Sequence, residues 1–282
     1  MTHDPSVPGS GESEHGSHRG MDAGRYLARL GLDPDTVTRA DLETLARLQR
    51  AHVTTVPFEN LDIVGRCVEA SRIVLSVPHL YEKIVERRRG GYCFELNGLF
   101  HWLLDDLGYD VDRIAAMVTS DGEARPPANH HTNIVDLDRR YVVDVGIGTP
   151  AMRLPVPLDG TPRTDDVGVE WRVTGSHRPG EQFRSECRTP ADPEWSTRYV
   201  FSDIPRSLDY FRATNDYLQT APESPFTDGA TITIATEDGH RKLSGETLTE
   251  TNNAEEVART VPDVEWPATV RREFGLDVAG GK

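Results

Sequence analysis

The chain has 282 residues, which is enough for two or three structural units that share a sizeable core. Its 46 Asp and Glu against 31 Lys and Arg give a formal net charge of −15 at pH 7, and such a chain lacks the concentrated basic face that nucleic-acid binding needs. No stretch approaches the roughly 18 apolar residues of a membrane span, so we expect neither a nucleic acid nor a membrane as a partner.

Composition also bears on where the protein works. Met1–Gly20 is rich in Ser, Gly, Pro and His and lacks the apolar segment of a secretory signal, so it is predicted to be a disordered tail, and the cytoplasm is the expected location. Arginine carries nearly all the positive charge. This composition resembles proteins of high-salt cytoplasm, whose acidic surfaces stay hydrated, although an arginine-rich genome is an alternative explanation.

Three cysteines, Cys67, Cys93 and Cys187, are spread along the chain. They form no CxxC pair and no cluster with histidine, so neither a zinc site nor a disulfide is expected in an intracellular protein. The expectation is therefore that the protein holds no metal.

The first third of the chain has the pattern of a small helical bundle. Leu42, Leu45 and Leu48 recur near the helical period. Ser76 opens a second helical pattern, and a third helix is predicted to follow Cys93.

The middle of the chain changes to short runs with strand character, which predicts an antiparallel sheet or barrel. The turn Asp138-Arg139 is predicted to join two of these strands as a hairpin. In order, the predicted strands are Val111–Val118, His130–Leu137, Arg140–Val145, Val169–Val173, Glu181–Cys187 and Thr197–Phe201. A last hairpin, Thr231–Thr236 with Arg241–Leu243, and two short helical patterns, near Ala254–Thr260 and Pro267–Phe274, close the chain.

Cys93 stands in the sequence RRRGGYCFELNGLF, directly before a helical pattern. A helix N-terminus supplies partial positive charge and free N–H groups, which favour the nucleophilic thiolate. Gly90 and Gly91 let the backbone turn sharply and let a substrate approach closely. This pattern predicts covalent catalysis by Cys93, and a small buried hydrophobic residue is the structural alternative.

A nucleophilic cysteine needs a base, and the base needs an orienting group. His130 and His131 open one predicted strand, and Asp144 lies in the next, so a hairpin would bring an imidazole and the carboxylate together. Asp144 also interrupts an apolar run, where a carboxylate is costly unless it is paired. Spacing alone leaves open which histidine is the base, and whether these are ordinary strand and turn residues.

Several motifs, in order along the chain, resemble the arylamine N-acetyltransferase family. Arg89–Asn97 is similar to the signature RGGxCxExN, and Val56–Leu61 matches the segment VPFENL. Tyr141–Gly146 matches Y-[LIV]-V-D-[VA]-G, while Asn215–Thr220 and Ser224–Phe226 are similar to the start of the family's third domain.

The resemblance implies an α+β fold in three parts: a helical bundle, an antiparallel β-barrel and an α/β lid. A cysteine-protease-like Cys-His-Asp core is expected where the first two parts meet. After a tail at 1–20, the implied parts are residues 21–109 with the nucleophile, 110–214 with the His and Asp, and 215–282 as the lid.

The resemblance also implies roles for individual residues. Cys93 becomes the nucleophile and Asp144 the orienting carboxylate. His130 is favoured over His131 as the base, because Val135 then occupies the apolar place five residues later that closes the family's strand.

Supporting residues follow from the same motifs. The resemblance implies a structural ion pair between Arg89 and Glu59. It places Tyr217 and Asn129 at the coenzyme A contacts.

The implied amine pocket departs from the family pattern. It includes Phe58 and Ile147, and Ile147 stands where many members have a phenylalanine. Thr132 and Asn133 replace residues that are usually apolar, so the strand after His130 is unusually polar.

The function implied is ping-pong N-acetylation of an arylamine, arylhydroxylamine or hydrazine, with acetyl-CoA as the acyl donor and an acetyl-cysteine intermediate. Three alternatives use the same fold. They are a related amide synthase acting on another thioester, a thiol hydrolase or transglutaminase-like enzyme, and a binding protein without activity.

Overall fold

A computed structural model describes residues 20–66, 68–119, 126–252 and 255–278. The predicted tail, apart from Gly20, lies outside the described residues, and so does Cys67. Among the helices of these described ranges, none is both long and apolar enough to cross a membrane.

The N-terminal part is helical, as the sequence predicts. Helices α1 to α5 are Ala23–Arg29, Leu42–Thr55, Leu61–Val64, Val77–Tyr81 and Cys93–Asp106, and the short strand β1 is Phe58–Glu59. A π-helical turn, Glu82–Glu86, continues α4. Residues 93–104 of α5 are all buried, so this helix lies at the centre of the main core.

Eight antiparallel strands form a nearly closed barrel, which confirms the predicted sheet or barrel. Strands β2 to β9 are Asp110–Val118, His130–Asp136, Arg140–Val143, Val156–Pro157, Arg163–Thr164, Glu170–Gly175, Phe183–Arg188 and Ser196–Pro205. Their order is β5-β4-β3-β2-β9-β8-β7-β6, and β5 lies against β7 near the closure. Strands β3 and β4 form the predicted hairpin, in which Asn133 is opposite Val143.

A second antiparallel sheet follows the barrel. Its strands after β1 are β10 to β13, namely Thr231–Ala235, Gly239–Ser244, Thr247–Asn252 and Glu255–Thr260, in the order β1-β10-β11-β12-β13. Helix α6 (Arg212–Thr220) precedes this sheet, and α7 (Trp266–Phe274) packs its apolar face on it. The helical region thus contributes β1 to a sheet that is otherwise built from the C-terminal part.

The predicted helix near residues 254–260 is wrong. Residues 255–260 form β13 and pair with β12 along their whole length, while residue 254 lies outside the described residues. Glu, Ala and Arg favour helices, but the neighbouring strand supplies backbone partners that override this weak propensity. β13 is an exposed edge strand with three charged residues, which is a common composition for an edge that must avoid aggregation.

The segment before α5 is held against β1 by a close backbone approach. The Glu59 N–H donates to the Gly91 carbonyl at 2.8 Å, and the Gly91 N–H donates to the Pro57 carbonyl at 3.3 Å. A Cβ atom on Gly90 would lie 2.2 Å from the Pro57 oxygen, so no side chain fits there. Gly90 therefore fixes the path by which the chain enters α5.

This contact gives a stability prediction. Gly90→Ala should lower the free energy of unfolding by about 1–3 kcal/mol, because β1 and the start of α5 must separate to admit the methyl group. Urea unfolding followed by circular dichroism measures the change. Gly175→Ala is the control, since a Cβ atom there has nothing within 4 Å; equal losses in the two variants would contradict this account.

Candidate active site

Cys93 is the first residue of α5 and is almost fully buried. The Glu95 carboxylate accepts a hydrogen bond from the Tyr92 N–H at 3.1 Å, which secures the start of the helix. The Cys93 Sγ lies 3.8 Å from the Asn129 carbonyl oxygen, at the end of the segment that leads into β3. The thiol is thus placed where the helical part meets the barrel.

His130 and Asp144 are brought together by the β3–β4 hairpin. His130 Nε2 lies 2.6 Å from Asp144 Oδ2, and both side chains are buried. The Cys93 side chain also acts on His130 and is one of the groups that raise the pKa of the imidazole. The Tyr199 ring packs on His130 with 4.9 Å between centroids. The structure therefore brings Cys93, His130 and Asp144 into one chain of contacts.

Asn97 on α5 holds the carboxylate in place. Its Nδ2 donates to Asp144 Oδ1 at 2.9 Å, and its Oδ1 accepts from the Val145 N–H at 2.9 Å. The Gly146 N–H also donates to Asp144 Oδ1 at 2.9 Å. These bonds fix the helix that carries Cys93 to the strand end that carries Asp144.

The His131 side chain contacts residues other than Cys93 and Asp144. Its ring stacks on Phe211 with 4.7 Å between centroids, and its Nε2 lies 3.2 Å from Asn133 Oδ1. Burial lowers the pKa of His131 well below its ordinary value. Of the two adjacent histidines, His130 is the one that meets the thiol and the carboxylate.

The His130–Asp144 pair is charged. Burial opposes protonation of His130, but attraction to the Asp144 carboxylate outweighs it and raises the pKa of His130 to about 10. Burial likewise works against the ionised Asp144, yet the charge of His130 and the surrounding hydrogen bonds lower the pKa of that carboxyl.

Behind the site lies a buried group of five charged residues. Arg89 Nη2 lies 2.7 Å from Glu59 Oε1 and 2.9 Å from Asp62 Oδ1. Lys83 Nζ lies 2.8 Å from Glu95 Oε1 and 2.9 Å from Asp62 Oδ2. The Arg89–Glu59 contact that the resemblance implies is present in the structure, within a larger network. Burial lowers the pKa of Lys83, but attraction to the carboxylates outweighs it and raises the pKa overall.

The two residues expected in the amine pocket line one cleft. Phe58 and Ile147 both border one narrow cleft, together with Asp144. Phe58 also packs near Phe226, with 6.2 Å between ring centroids. Both residues therefore lie at the same cleft as Asp144, at the end of β4.

The two residues expected to contact the cofactor lie in different settings. Asn129 touches the thiol through its carbonyl, while its side-chain oxygen accepts from the Val118 N–H at 2.7 Å. Tyr217 lies on α6, where its hydroxyl donates to Glu223 Oε1 at 2.8 Å. Among the described residues, no group of three or more His, Cys, Asp or Glu is placed to hold a metal ion.

Sequence reasoning left three contributing residues without a role. Asn97 was visible as the last residue of the motif around Cys93, but the motif does not say what its amide binds. Lys83 lies in a helical stripe of apolar residues, where a lysine needs a carboxylate partner, and the partly buried Asp62 supplies one. The sequence feature that points to Lys83 is therefore a charged residue within a pattern of apolar residues.

The chain is similar to known proteins over most of its length. The model of a family described as N-acetyltransferase matches residues 41–282. The arylamine N-acetyltransferase of Mycolicibacterium smegmatis is 33% identical over 265 residues, which cover 92% of this chain and 93% of that protein.

Solved structures of arylamine N-acetyltransferases are also similar to this chain. The arylamine N-acetyltransferase of Mycobacterium marinum in complex with CoA has a TM-score of 0.81 and 28% identity, covering 93% of this chain and 95% of its own. A Bacillus cereus arylamine N-acetyltransferase described as having a Cys-His-Glu catalytic triad has a TM-score of 0.81 and 26% identity, covering 91% and 99%.

The three-part α+β fold is that of a class of acyltransferases. The chain belongs to the arylamine N-acetyltransferase family.

The buried charge network gives a prediction about stability. Lys83→Met should lower the free energy of unfolding by roughly 3–5 kcal/mol, because it leaves Glu95 and Asp62 buried with less compensation. Urea unfolding of the variant measures this loss. Lys242→Met, at an exposed position, should change stability by no more than about 0.5 kcal/mol; a similarly small effect at Lys83 would refute the assignment.

The charged His130 gives a prediction about pH. Its pKa is raised from 6.5 to about 10 in the folded protein, so its stabilising contribution is complete below pH 6.5 and disappears as pH rises through 10. The difference in unfolding free energy between the wild type and His130→Gln should shrink across this window. His177→Gln, at an exposed histidine, should follow the wild-type profile. A constant difference between wild type and His130→Gln would contradict the charged pair.

Proposed function

We propose that the protein transfers an acetyl group from acetyl-CoA to an arylamine, arylhydroxylamine or hydrazine through an acetyl-cysteine intermediate. The observation that carries the proposal is the buried contact of His130 with Asp144 at 2.6 Å, together with the action of the Cys93 side chain on the pKa of His130. Membership of the family supplies the acyl donor and the class of acceptor, and a relative from Mycobacterium marinum has been solved with CoA.

The first half-reaction loads the enzyme. The Cys93 thiolate attacks the carbonyl carbon of the thioester, and a new S–C bond forms as the bond from the acetyl group to the CoA sulfur breaks. The leaving CoA sulfur takes the proton from the His130 imidazolium and departs as the free thiol. Backbone N–H groups at the very start of α5, before those that bond to the Tyr92 carbonyl, can stabilise the oxyanion.

The second half-reaction transfers the acetyl group. The amine nitrogen attacks the acetyl-cysteine carbonyl, and neutral His130 accepts the proton that the nitrogen loses. The C–S bond then breaks, so the products are the acetylated amine and the Cys93 thiolate beside an imidazolium. Asp144 bonds to His130 Nε2 and thereby leaves the other ring nitrogen, Nδ1, to exchange the proton.

A second candidate function follows from one side chain of the cleft. Ile147 borders the cleft in place of the phenylalanine that many family members have there, so the wall is smaller and not aromatic. A related amide synthase that takes a bulkier thioester than acetyl-CoA would use the same triad. Comparing Cys93 acylation rates for acetyl, propionyl and longer acyl thioesters distinguishes the two functions.

The intermediate is testable by intact-protein mass spectrometry. Mixing the protein with acetyl-CoA in high-salt buffer without amine should add one acetyl group, and adding an arylamine should remove it. Cys93→Ala should gain no acetyl group. A folded wild-type protein that gains none either would exclude acetyl-CoA as the donor and favour another acyl donor or hydrolase chemistry.

The adjacent histidines allow a matched test of the base. His130→Gln should reduce the rate of Cys93 acetylation by at least about 100-fold, because general acid–base catalysis contributes roughly that much or more. His131→Gln should retain most of the rate, since His131 faces Phe211 and Asn133. Circular dichroism establishes that both variants fold, and the reverse order of effects would assign the base to His131.

A further inference from the structure

Arg153 is a buried arginine that the proposed chemistry does not use. It lies in the loop between β4 and β5 (residues 144–155) and is only 2% exposed. Its Nη2 donates two hydrogen bonds, to the Thr236 carbonyl at 2.8 Å and to the Gly239 carbonyl at 2.7 Å. These carbonyls stand at the two ends of the turn between β10 and β11. Arg153 therefore joins a loop of the barrel to a hairpin of the C-terminal sheet.

The hydrogen bonds to this turn are shorter than the contacts of Arg153 with carboxylates. Its Nε lies 3.4 Å from Asp165 Oδ2, and its Nη1 lies 3.7 Å from Asp166 Oδ1. Within the described residues, Arg153 Nη1 and Asp165 Oδ2 have no hydrogen-bond partner. The two aspartates thus compensate the buried charge, while the hydrogen bonds of Arg153 go to the hairpin.

The loop and the hairpin form two walls of the cleft that Phe58 and Ile147 border. Ile147 belongs to the loop, and β10 contributes its last three residues, 233–235. The pairing of β10 with β1 extends no further than Thr233. The rest of this wall lies between that pairing and the turn that Arg153 holds, so its position depends on Arg153.

This first cleft lies next to the candidate active site. Asp144 lines it, and so does Val145, whose N–H donates to Asn97 of α5. Gly146 follows directly, and a Cβ atom there would lie 2.8 Å from the Cys93 Cα. The width of the cleft therefore sets the space beside the proposed nucleophile.

A second cleft meets the first where the loop and the hairpin touch. Ala151 of the loop lines both clefts, and the hairpin borders the first through Ala235 and the second through Gly239. Arg153 lines the second cleft. The other apolar residues that line the second cleft are Pro150, Val167, Val169, Pro190 and Ala191. The loop and the hairpin thus separate the two clefts, and Arg153 joins these two elements.

We propose that Arg153 is a specificity-determining residue that closes the first cleft towards the second and limits the size of the acceptor amine. The proposal rests on the proposed function, because it takes the first cleft as the amine pocket. Without the Arg153 side chain, the two hydrogen bonds to the hairpin are lost and the volume of the guanidinium is free. A polycyclic amine can then extend into the second cleft, whose apolar walls suit an aromatic ring.

Acceptor selectivity tests this role. The ratio of kcat/KM for 2-aminofluorene, with three fused rings, to kcat/KM for aniline should rise about tenfold in Arg153→Ala, because pocket size discriminates between substrates by roughly 10–200-fold. The change should come mainly from a lower KM for 2-aminofluorene. Arg153→Lys should restore most of the wild-type ratio, since an ammonium group can still donate to the turn.

Asp165 provides the matched control. Asp165→Asn changes the same group of charges but keeps the hydrogen bonds from Arg153 to the hairpin, so the ratio should not change. Arg153→Ala leaves Asp165 buried with less compensation, and the double variant Arg153→Ala/Asp165→Asn removes this cost. The double variant should show the same raised ratio as Arg153→Ala. Circular dichroism establishes that each variant is folded.

Alkylation of Cys93 measures the opening without acetyl transfer. The rate with N-(1-pyrenyl)maleimide relative to that with iodoacetamide should rise in Arg153→Ala and in the double variant, and stay constant in Asp165→Asn. Mass spectrometry of peptides separates the Cys93 adduct from those at Cys67 and Cys187.

The outcomes for Arg153 and for the proposed function are distinguishable. Acetylation of both amines with the same ratio in the wild type, Arg153→Ala and the double variant would overturn the role of Arg153 and leave the function supported. A raised alkylation ratio in proteins that acetylate neither amine would support the closure by Arg153 and overturn the proposed function. An equal rise in Asp165→Asn would assign the effect to charge and overturn the role of the hydrogen bonds to the hairpin.

Discussion

The position of the Cys93 thiol depends on a network of charged side chains, most of which are buried. Glu59, Asp62, Lys83, Arg89 and Glu95 come from β1, α3, the π-helical turn, the loop before α5 and α5 itself. Their ion pairs are between 2.7 and 2.9 Å long. Burying charges is costly unless every partner is present, so these five segments are stable only in one relative arrangement. Because Glu95 also accepts the Tyr92 N–H, that arrangement fixes the first turn of the helix that begins with Cys93.

The barrel contributes the other half of the site through one hairpin. The register of β3 and β4 sets His130 beside Asp144, and Asn97 then joins this strand end to α5. A Cβ atom on Gly146 would lie 2.7 Å from Asn97 Nδ2 and 2.8 Å from the Cys93 Cα, so the glycine is what permits this close approach. The helical part and the barrel are thereby packed against each other at the point where the thiol, the imidazole and the carboxylate meet.

Much of this was predictable because the residues concerned break a simple pattern. A carboxylate inside the apolar run before Gly146, and a thiol after two glycines, each require a partner, and the hairpin turn at Asp138 showed how the strand residues would meet. The partners of Lys83 were not predictable, since they come from segments distant in sequence. The helix expected near residues 254–260 failed for a similar reason: local propensity favoured a helix, and pairing with β12 decided otherwise. The division into parts at residues 109 and 214, and the cytoplasmic location, stay predictions.

The polar residues that follow His130 fit the site in spite of their departure from the family pattern. Thr132 and Asn133 are fully buried. The Asn133 side chain donates to the Asn97 carbonyl at 3.2 Å and lies 3.2 Å from His131 Nε2, so its polar atoms are satisfied. The Thr132 hydroxyl lies 3.5 Å from that of Tyr199, whose ring packs on His130. Burying polar groups at these positions costs little free energy, because they hydrogen-bond to the same helix and strand that hold the candidate catalytic residues. Thr132 and Asn133 therefore extend the hydrogen-bond network around Asp144. As a result, the orientation of the His130 imidazole depends on more side chains than the three that carry the proposed chemistry.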